Sequence, residues 1–248
     1  MKNKISIVTI CYNCKDDLEM TIKSVISQTY SNIEYVVIDG GSTDGTLDVV
    51  EKYKEHFAFC VSEKDDGIYD ALNKGVQHCT GDWILCLNAG DILYDDKVLS
   101  DILEKDIPDK ISFLYSDLEV YGVDGKKLIF ETNRQKGNLH HQNAIYRRSL
   151  HERYGYYIVT HPYIISDLLF FLAVPQEQFL KIGRLISKVK YGGISCQGHW
   201  VEKQASAAKV IYGYETIPHI FYLYMRICFY EWRKEVKNKI RKMLGLTK

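Results

Sequence analysis

The sequence predicts an α/β protein: a mainly parallel, Rossmann-like sheet flanked by helices, with a helical C-terminal appendage. Three observations carry this. β-Branched runs alternate with amphipathic stripes through residues 1–100. The turns between them are short, which implies βαβ units with right-handed crossovers. Beyond residue 200 the pattern stays helical while the composition turns aromatic and basic.

Lys4–Ile10 (KISIVTI) reads as a buried strand, and Leu18, Ile22, Val25 and Ile26 then recur at helical spacing. Ile33–Asp39 is a second strand, followed by GGSTDGT and a helix marked by Leu47, Val50 and Tyr53. Phe57–Ser62 is a third strand. Ile68, Ala71, Leu72, Gly75, Val76 and Cys79 share one helix face, and Trp83–Leu87 is a fourth strand ending in NAGD. Phe113–Ser116, Glu119–Gly122 and Lys127–Glu131 read as strands, with Asp124-Gly125 as a hairpin turn. His140–Arg147 and Ile186–Gly193 read as strands, and Tyr163–Ala173, Glu202–Tyr214 and His219–Leu244 as helices. The division expected is a catalytic domain over 1–200 and a helical, basic amphipathic segment over 201–248.

The chain has 248 residues, 46% of them hydrophobic, which is enough for a sizeable core and excludes intrinsic disorder. Lys+Arg and Asp+Glu are 32 each, which argues against a general nucleic-acid binder. The balance hides an asymmetry: residues 1–100 carry a net of −8 and residues 219–248 a net of +6. Seven cysteines, several in apolar runs, fit a reducing cytosol. Cys11 and Cys14 have no second ligand pair at metal spacing, so a core thiol beside a surface thiol is expected. The start runs directly into a strand pattern, so no leader is expected, and no stretch approaches the ~20 apolar residues of a bilayer span. The expected location is cytoplasmic, with the tail against the inner face of the membrane.

Ligands of parallel sheets bind beyond the carboxyl ends of the strands, where the polar clusters of this sequence collect. Asp39-Gly40-Gly41-Ser42-Thr43-Asp44-Gly45 offers either a carboxylate for a base imide or ribose, or a well-capped βα turn. Its Asp precedes the glycines, so it is no dinucleotide fingerprint. Asn88-Ala89-Gly90-Asp91 presents a carboxylate that either binds Mg²⁺ or Mn²⁺ or caps a following helix. Glu63–Gly75 gathers polar groups at a helix start.

The set TICYN, VVIDGGSTDGT, SEKDDGIYDALNKG, GDWILCLNAGD, HHQNAIYRR, ISDLLFFL and YGGIS resembles family 2 glycosyltransferases of the GT-A fold. It is most similar to bacterial enzymes of the exopolysaccharide, capsule, O-antigen and colanic-acid type, over residues 4–196. The resemblance implies a UDP-sugar donor, a saccharide or lipid-linked acceptor, and inverting, non-processive, metal-dependent transfer. Thr9, Tyr12 and Asn13 match the first nucleotide loop, and Asp39 the carboxylate that holds uridine, with Gly41 and Ser42 beside it. Asp65, Gly67 and Lys74 match the segment lining the nucleotide-sugar pocket. Asn88, Ala89 and Gly90 stand in the D-x-D element, with Asp91 as the metal carboxylate for Mn²⁺ or Mg²⁺. Asp167 matches the catalytic base, its alternative being a helix N-cap. His141 and Gln142 match an H-Q pair near the diphosphate or acceptor, on a strand whose alternative is a half-buried pair satisfying backbone groups.

There are two departures. Asn88 replaces the leading Asp of D-x-D, and Ser166 and Leu169 flank Asp167 where acidic residues are common. They support the alternative of a nucleotide-sugar-binding inactive partner subunit. A nucleotidyltransferase is the other rival, but TICYNCKDD lacks the glycine-rich basic start that class expects. The Q-x-x-R-W motif of processive synthases is absent. The aromatic and basic tail suits an anionic bilayer, with packing on the domain or a homodimer through the aromatic face as its alternatives.

Overall fold

The computed structural model describes residues 3–123, 126–160, 164–192 and 200–243, the side chains of 123, 200–202 and 243 excepted. The chain divides into two compact units, Met1–Cys196 and Gln197–Lys248.

The first unit starts with β1 (Ile5–Cys11), α1 (Lys15–Ile26), β2 (Ile33–Asp39), α2 (Thr46–Lys52), β3 (Phe59–Ser62), α3 (Ile68–Gln77) and β4 (Trp83–Cys86). Every residue of β1 is buried, as a central strand covered on both faces requires. Leu18, Ile22 and Val25 of α1 are buried among the core residues on one face of the sheet. After β4 come β5 (Ile92–Leu93), α4 (Val98–Leu103), β6 (Phe113–Tyr115), β7 (Leu118–Val123) and β8 (Lys126–Phe130). The unit continues with β9 (Ala144–Arg147), α5 (Ser149–Tyr154), α6 (Ser166–Ala173), β10 (Phe179–Lys181) and β11 (Ser187–Lys190).

The main sheet has the order β10-β6-β9-β4-β1-β2-β3. β4, β1, β2 and β3 run parallel, and β9 is antiparallel to β4 and β6. Register aligns Cys11 with Asp39 and Asp39 with Ser62, so these side chains meet at the carboxyl edge. A second sheet, β5-β11-β7-β8, starts where the polypeptide leaves Asp91.

The alternation over residues 4–87 is as expected, and two later expectations change. His141–Asn143 form a 3-10 turn, and the strand expected from His140 begins only at Ala144. Asn143 marks the changeover: its carbonyl still accepts from Ser116 N at 3.1 Å, while its buried amide donates to Ser116 O and to Thr132 Oγ1. No helix follows Asp91; β5 does, which removes the capping alternative. α4, α5, β5 and β10 were not expected. The turn expected at Asp124-Gly125 lies outside the described residues, but the strands on either side pair antiparallel.

Close packing of α3 on β1 gives a stability prediction. A Cβ on Gly75 would lie 2.3 Å from Val8 Cγ1, and Val8 is fully buried. Overpacking of this kind costs about 1–3 kcal/mol, against a helix-propensity gain of about 1 kcal/mol for Ala over Gly. Gly75→Ala is expected to lower the thermal midpoint by a few degrees in differential scanning calorimetry. An unchanged or raised midpoint would mean that helix and strand part without cost.

The second unit contains α7 (Trp200–Ile211) and α8 (Ile217–Met243). Ile227 of α8 is buried, and Tyr224 donates its hydroxyl to Lys203 O at 3.1 Å.

Candidate active site

The carboxyl ends of β1 and β2 build the first wall. Asp39 is fully buried and is spent on the protein itself. Its Oδ2 accepts from Gly41 N at 3.1 Å, Ser42 N at 2.9 Å and Ser62 Oγ at 2.6 Å; its Oδ1 accepts from the Ser42 hydroxyl and the Cys11 thiol. Burial pushes the Asp39 carboxyl up, but these donors outweigh it and hold the group below its ordinary value. The sequence assigns Asp39 to uridine; the structure gives its oxygens to the turn that Gly41 (φ 84°) makes possible.

Thr9 is also fully buried, donating to Leu87 O at 2.8 Å and accepting from Tyr35 at 3.1 Å, so it faces the sheet rather than a ligand. Asn13 adopts φ 48° and ties two loops together: its N–H donates to Ser42 Oγ and its Oδ1 accepts from Thr43 N, both at 2.8 Å. Tyr12 between them is 63% exposed, an aromatic face open to stacking.

Beside Tyr12 lies a carboxylate. A Cβ built on Gly40 would sit 2.6 Å from Asp65 Oδ2 and 3.4 Å from the Tyr12 ring. Asp65 therefore fills the space that a side chain at position 40 would enter. Its Oδ1 accepts from Gly67 N at 2.9 Å, while Oδ2 takes no hydrogen bond among the described residues. Gly67 (φ 101°) starts α3. Lys74, expected in the pocket, is engaged by Glu63 at 2.8 Å and Asp70 at 3.2 Å, and these partners raise its pKa despite slight burial.

The turn Asn88–Asp91 closes the end of β4. Ala89 N donates to Ile10 O, and Gly90 (φ 97°) donates to Thr21 Oγ1 at 2.9 Å. Asp91 is 5% exposed and accepts from Lys190 N of β11 at 3.1 Å. Burial raises its pKa to about 7, against a lowering by nearby His141, Lys190 N and the Gln142 side chain.

A polar relay crosses the mouth of the sheet. Tyr69, on the inner face of α3, donates its hydroxyl to Asp167 Oδ1 at 2.8 Å. Asp167 Oδ2 meets His141 Nδ1 at 2.8 Å, and His141 Nε2 meets Asn88 Nδ2 at 3.0 Å. Burial pushes Asp167 up, but His141 and Tyr69 outweigh it and keep the carboxyl below its usual value. Burial and the neighbouring Asp167 raise Tyr69, so it remains a donor. In neutral His141, Nδ1 then carries the proton and Nε2 accepts from the Asn88 amide. That turns Asn88 Oδ1 away from the imidazole, and it is a buried oxygen with no hydrogen-bond partner. Asp167 lies in the first turn of α6, whose N-cap is Ile165, so capping does not explain it.

The expected residues thus form two groups. Tyr12, Asp65 and Gly67 lie together at the β1–β2 side, and Asn88, Asp91, His141, Gln142 and Asp167 at the β4 side. Sequence reasoning missed Tyr69. Its only signal is a phenol in an apolar helix stripe, where a buried hydroxyl needs an acceptor.

The described residues contain no group of three or more His, Cys, Asp or Glu side chains able to hold a metal. The donor set still suits a hard cation that keeps water and substrate phosphates as ligands. Asp91 supplies one carboxylate, and Asn88 Oδ1 is an unpartnered amide oxygen in the same turn.

Residues 6–106 match the model of Glycosyl transferase family 2. A PGL/p-HBAD biosynthesis glycosyltransferase of Mycobacterium bovis is 32% identical over 167 residues, 61% of this chain and 62% of that protein. An uncharacterised glycosyltransferase of Mycobacterium tuberculosis is 39% identical over 101 residues, 40% of this chain and 38% of that protein. A UDP-Glc:alpha-D-GlcNAc-diphosphoundecaprenol beta-1,3-glucosyltransferase of Escherichia coli is 33% identical over 114 residues, 46% of this chain and 45% of that protein. The chain therefore spans less than two thirds of the length of each of these relatives. Among solved structures, S. aureus TarS in complex with UDP-GlcNAc superposes with a TM-score of 0.66 at 18% identity, over 84% of this chain and 66% of that one. The mannosyltransferase PcManGT from Pyrobaculum calidifontis, with GDP-Man and Mn²⁺, gives 0.61 at 17%, over 84% and 61%. These likenesses identify the GT-A fold.

Proposed function

We propose that this chain, whose residues 6–106 match the model of glycosyl transferase family 2, moves one sugar at a time from a UDP-sugar to a saccharide or lipid-linked acceptor in surface-glycan synthesis, with inversion. The relay Tyr69–Asp167–His141–Asn88 is the observation that carries this reading. It holds an ionised carboxylate at the sheet mouth, with both oxygens oriented. The names of two relatives support the donor and acceptor classes: one is a UDP-glucose enzyme with a diphosphoundecaprenol acceptor, the other a PGL/p-HBAD biosynthesis glycosyltransferase.

In this mechanism Asp167 accepts the proton of the acceptor hydroxyl. The hydroxyl oxygen bonds to the sugar C1 from the face opposite the nucleotide, and the C1–O bond to the diphosphate breaks. Tyr69 and His141 orient Asp167, and Asn88 fixes the His141 tautomer. Asp91 and Asn88 Oδ1 would hold a divalent cation, which when bound neutralises charge growing on the departing diphosphate.

Asp65 takes the base-reading role given to Asp39 in the sequence. Its Oδ2 stands at the edge of the exposed Tyr12 ring, where a stacked uracil could donate its imide N–H. A charge-assisted hydrogen bond is worth about 1.5–3 kcal/mol, so Asp65→Ala should weaken UDP binding about tenfold or more. Gly40→Ala should weaken it too, because the new methyl displaces Oδ2. Calorimetric titration with UDP, with and without Mn²⁺ and with GDP as control, tests both. Wild-type affinity in Asp65→Ala would remove it from base recognition. UDP binding without release of UDP from any UDP-sugar and acceptor would instead favour an inactive binding subunit.

A further inference from the structure

We propose that α8 lies in the headgroup layer of an anionic bilayer and docks the chain there. Phe221, Tyr222, Met225, Phe229 and Trp232 recur at three- and four-residue spacing, with Ile240 about two turns further on the same side, so they form one stripe along a helix of 27 residues, ~40 Å long. These six side chains are 47–67% exposed. The face that meets α7 is a different one. It carries buried Ile227, the Tyr224 hydroxyl on Lys203 O, and Glu231, 3.9 Å from Lys203 Nζ. Among the described residues of its own unit, this stripe stays exposed.

Charge decides what covers it. α8 holds seven Lys and Arg against two Glu, and Arg226, Arg233 and Lys237 follow one flank of the stripe. Pairing two copies through this face would crowd those cations together, with few carboxylates to answer them. An anionic lipid surface answers them all, while aromatic rings suit the boundary between headgroups and acyl chains. No helix among the described residues is long and apolar enough to cross a membrane, which fits a helix lying on the surface. Docking of this kind depends on neither the donor site nor the reaction.

The test is co-sedimentation of the full chain with vesicles of equal parts phosphatidylglycerol and phosphatidylethanolamine, against pure phosphatidylcholine vesicles. Binding to the anionic vesicles is expected, at least about tenfold tighter than to phosphatidylcholine and weakened by added salt. The double variant Phe221→Ser/Phe229→Ser should lose about tenfold or more. Arg233→Gln/Lys237→Gln should lose about thirtyfold. Circular dichroism of each variant checks that the helices persist, and the charge pair keeps the proposal testable if the apolar pair unfolds. Equal binding to both vesicle types, or none, overturns the proposal. So does a dimer in light scattering that the Phe variant dissociates without any change in vesicle binding.

Discussion

Asp167→Asn is expected to lower kcat by about a thousandfold, within the roughly 10²–10⁴ range of a lost general base, while UDP affinity stays at the wild-type level. The amide is nearly isosteric. Its oxygen can accept from His141 Nδ1 and its NH₂ can donate to the Tyr69 hydroxyl, so the relay keeps its shape. The carboxylate's capacity to take a proton is what disappears. Single-turnover assays with a UDP-sugar, alongside UDP titration, separate the two effects. Retained turnover would remove Asp167 from proton transfer, whereas a parallel loss of UDP affinity would give it a structural role. Because His141 and Tyr69 hold Asp167 below its ordinary value despite burial, it stays ionised near neutrality. It therefore contributes no acid limb to the rate profile around pH 7.

Asp91→Asn should act in two opposite directions. Burial raises Asp91 from 3.8 to about 7, so the fold favours the protonated acid. Below pH 4 both folded and unfolded chains carry the proton, and the group costs nothing. Between about pH 4 and 7 the unfolded chain releases a proton that the folded chain keeps, and stability falls as pH rises. Above pH 7 the full penalty applies, on the order of 4 kcal/mol. Asn removes the ionisable group and therefore the penalty. The metal-free variant should melt roughly ten degrees higher than wild type at pH 8, with little difference near pH 4. The same change should abolish any strengthening of UDP binding by Mn²⁺, which in the wild type should grow as pH rises through about 7. Thermal unfolding in EDTA at both pH values, with UDP titrations, checks it. A lower midpoint for Asp91→Asn at pH 8 would mean that the carboxylate is ionised and well paired in the fold.

Local rules made the sheet legible where strands are long and buried. Ile5–Cys11 and Ile33–Asp39 are continuous apolar runs, and α3 shows a one-sided stripe. They do not reach β5, with two residues, or β10, with three, which form because neighbouring strands present free edges. The strand expected from His140 begins only at Ala144, because His141–Asn143 close a 3-10 turn that the apolar pattern does not show. The site divides in the same way. Motif positions brought Asp91, His141, Gln142 and Asp167 to one place. They could not show that Asp39 would be saturated by its own turn, because that follows from alignment of Cys11, Asp39 and Ser62 on three strands. Nor could they pair Tyr69 with Asp167, 98 residues away, or Asp65 with Gly40.

The contact between Asn88 and His141 couples two positions 53 residues apart. A carboxylate at position 88 would face the imidazole from one side while Asp167 faces it from the other. The imidazole Nε2 would lose the amide N–H that now donates to it. Restoring the acidic residue alone would thus disturb the contact that orients His141 against Asp167 as well as adding a metal ligand. Substitutions at position 88 therefore reach Asp167 through the imidazole, two contacts away.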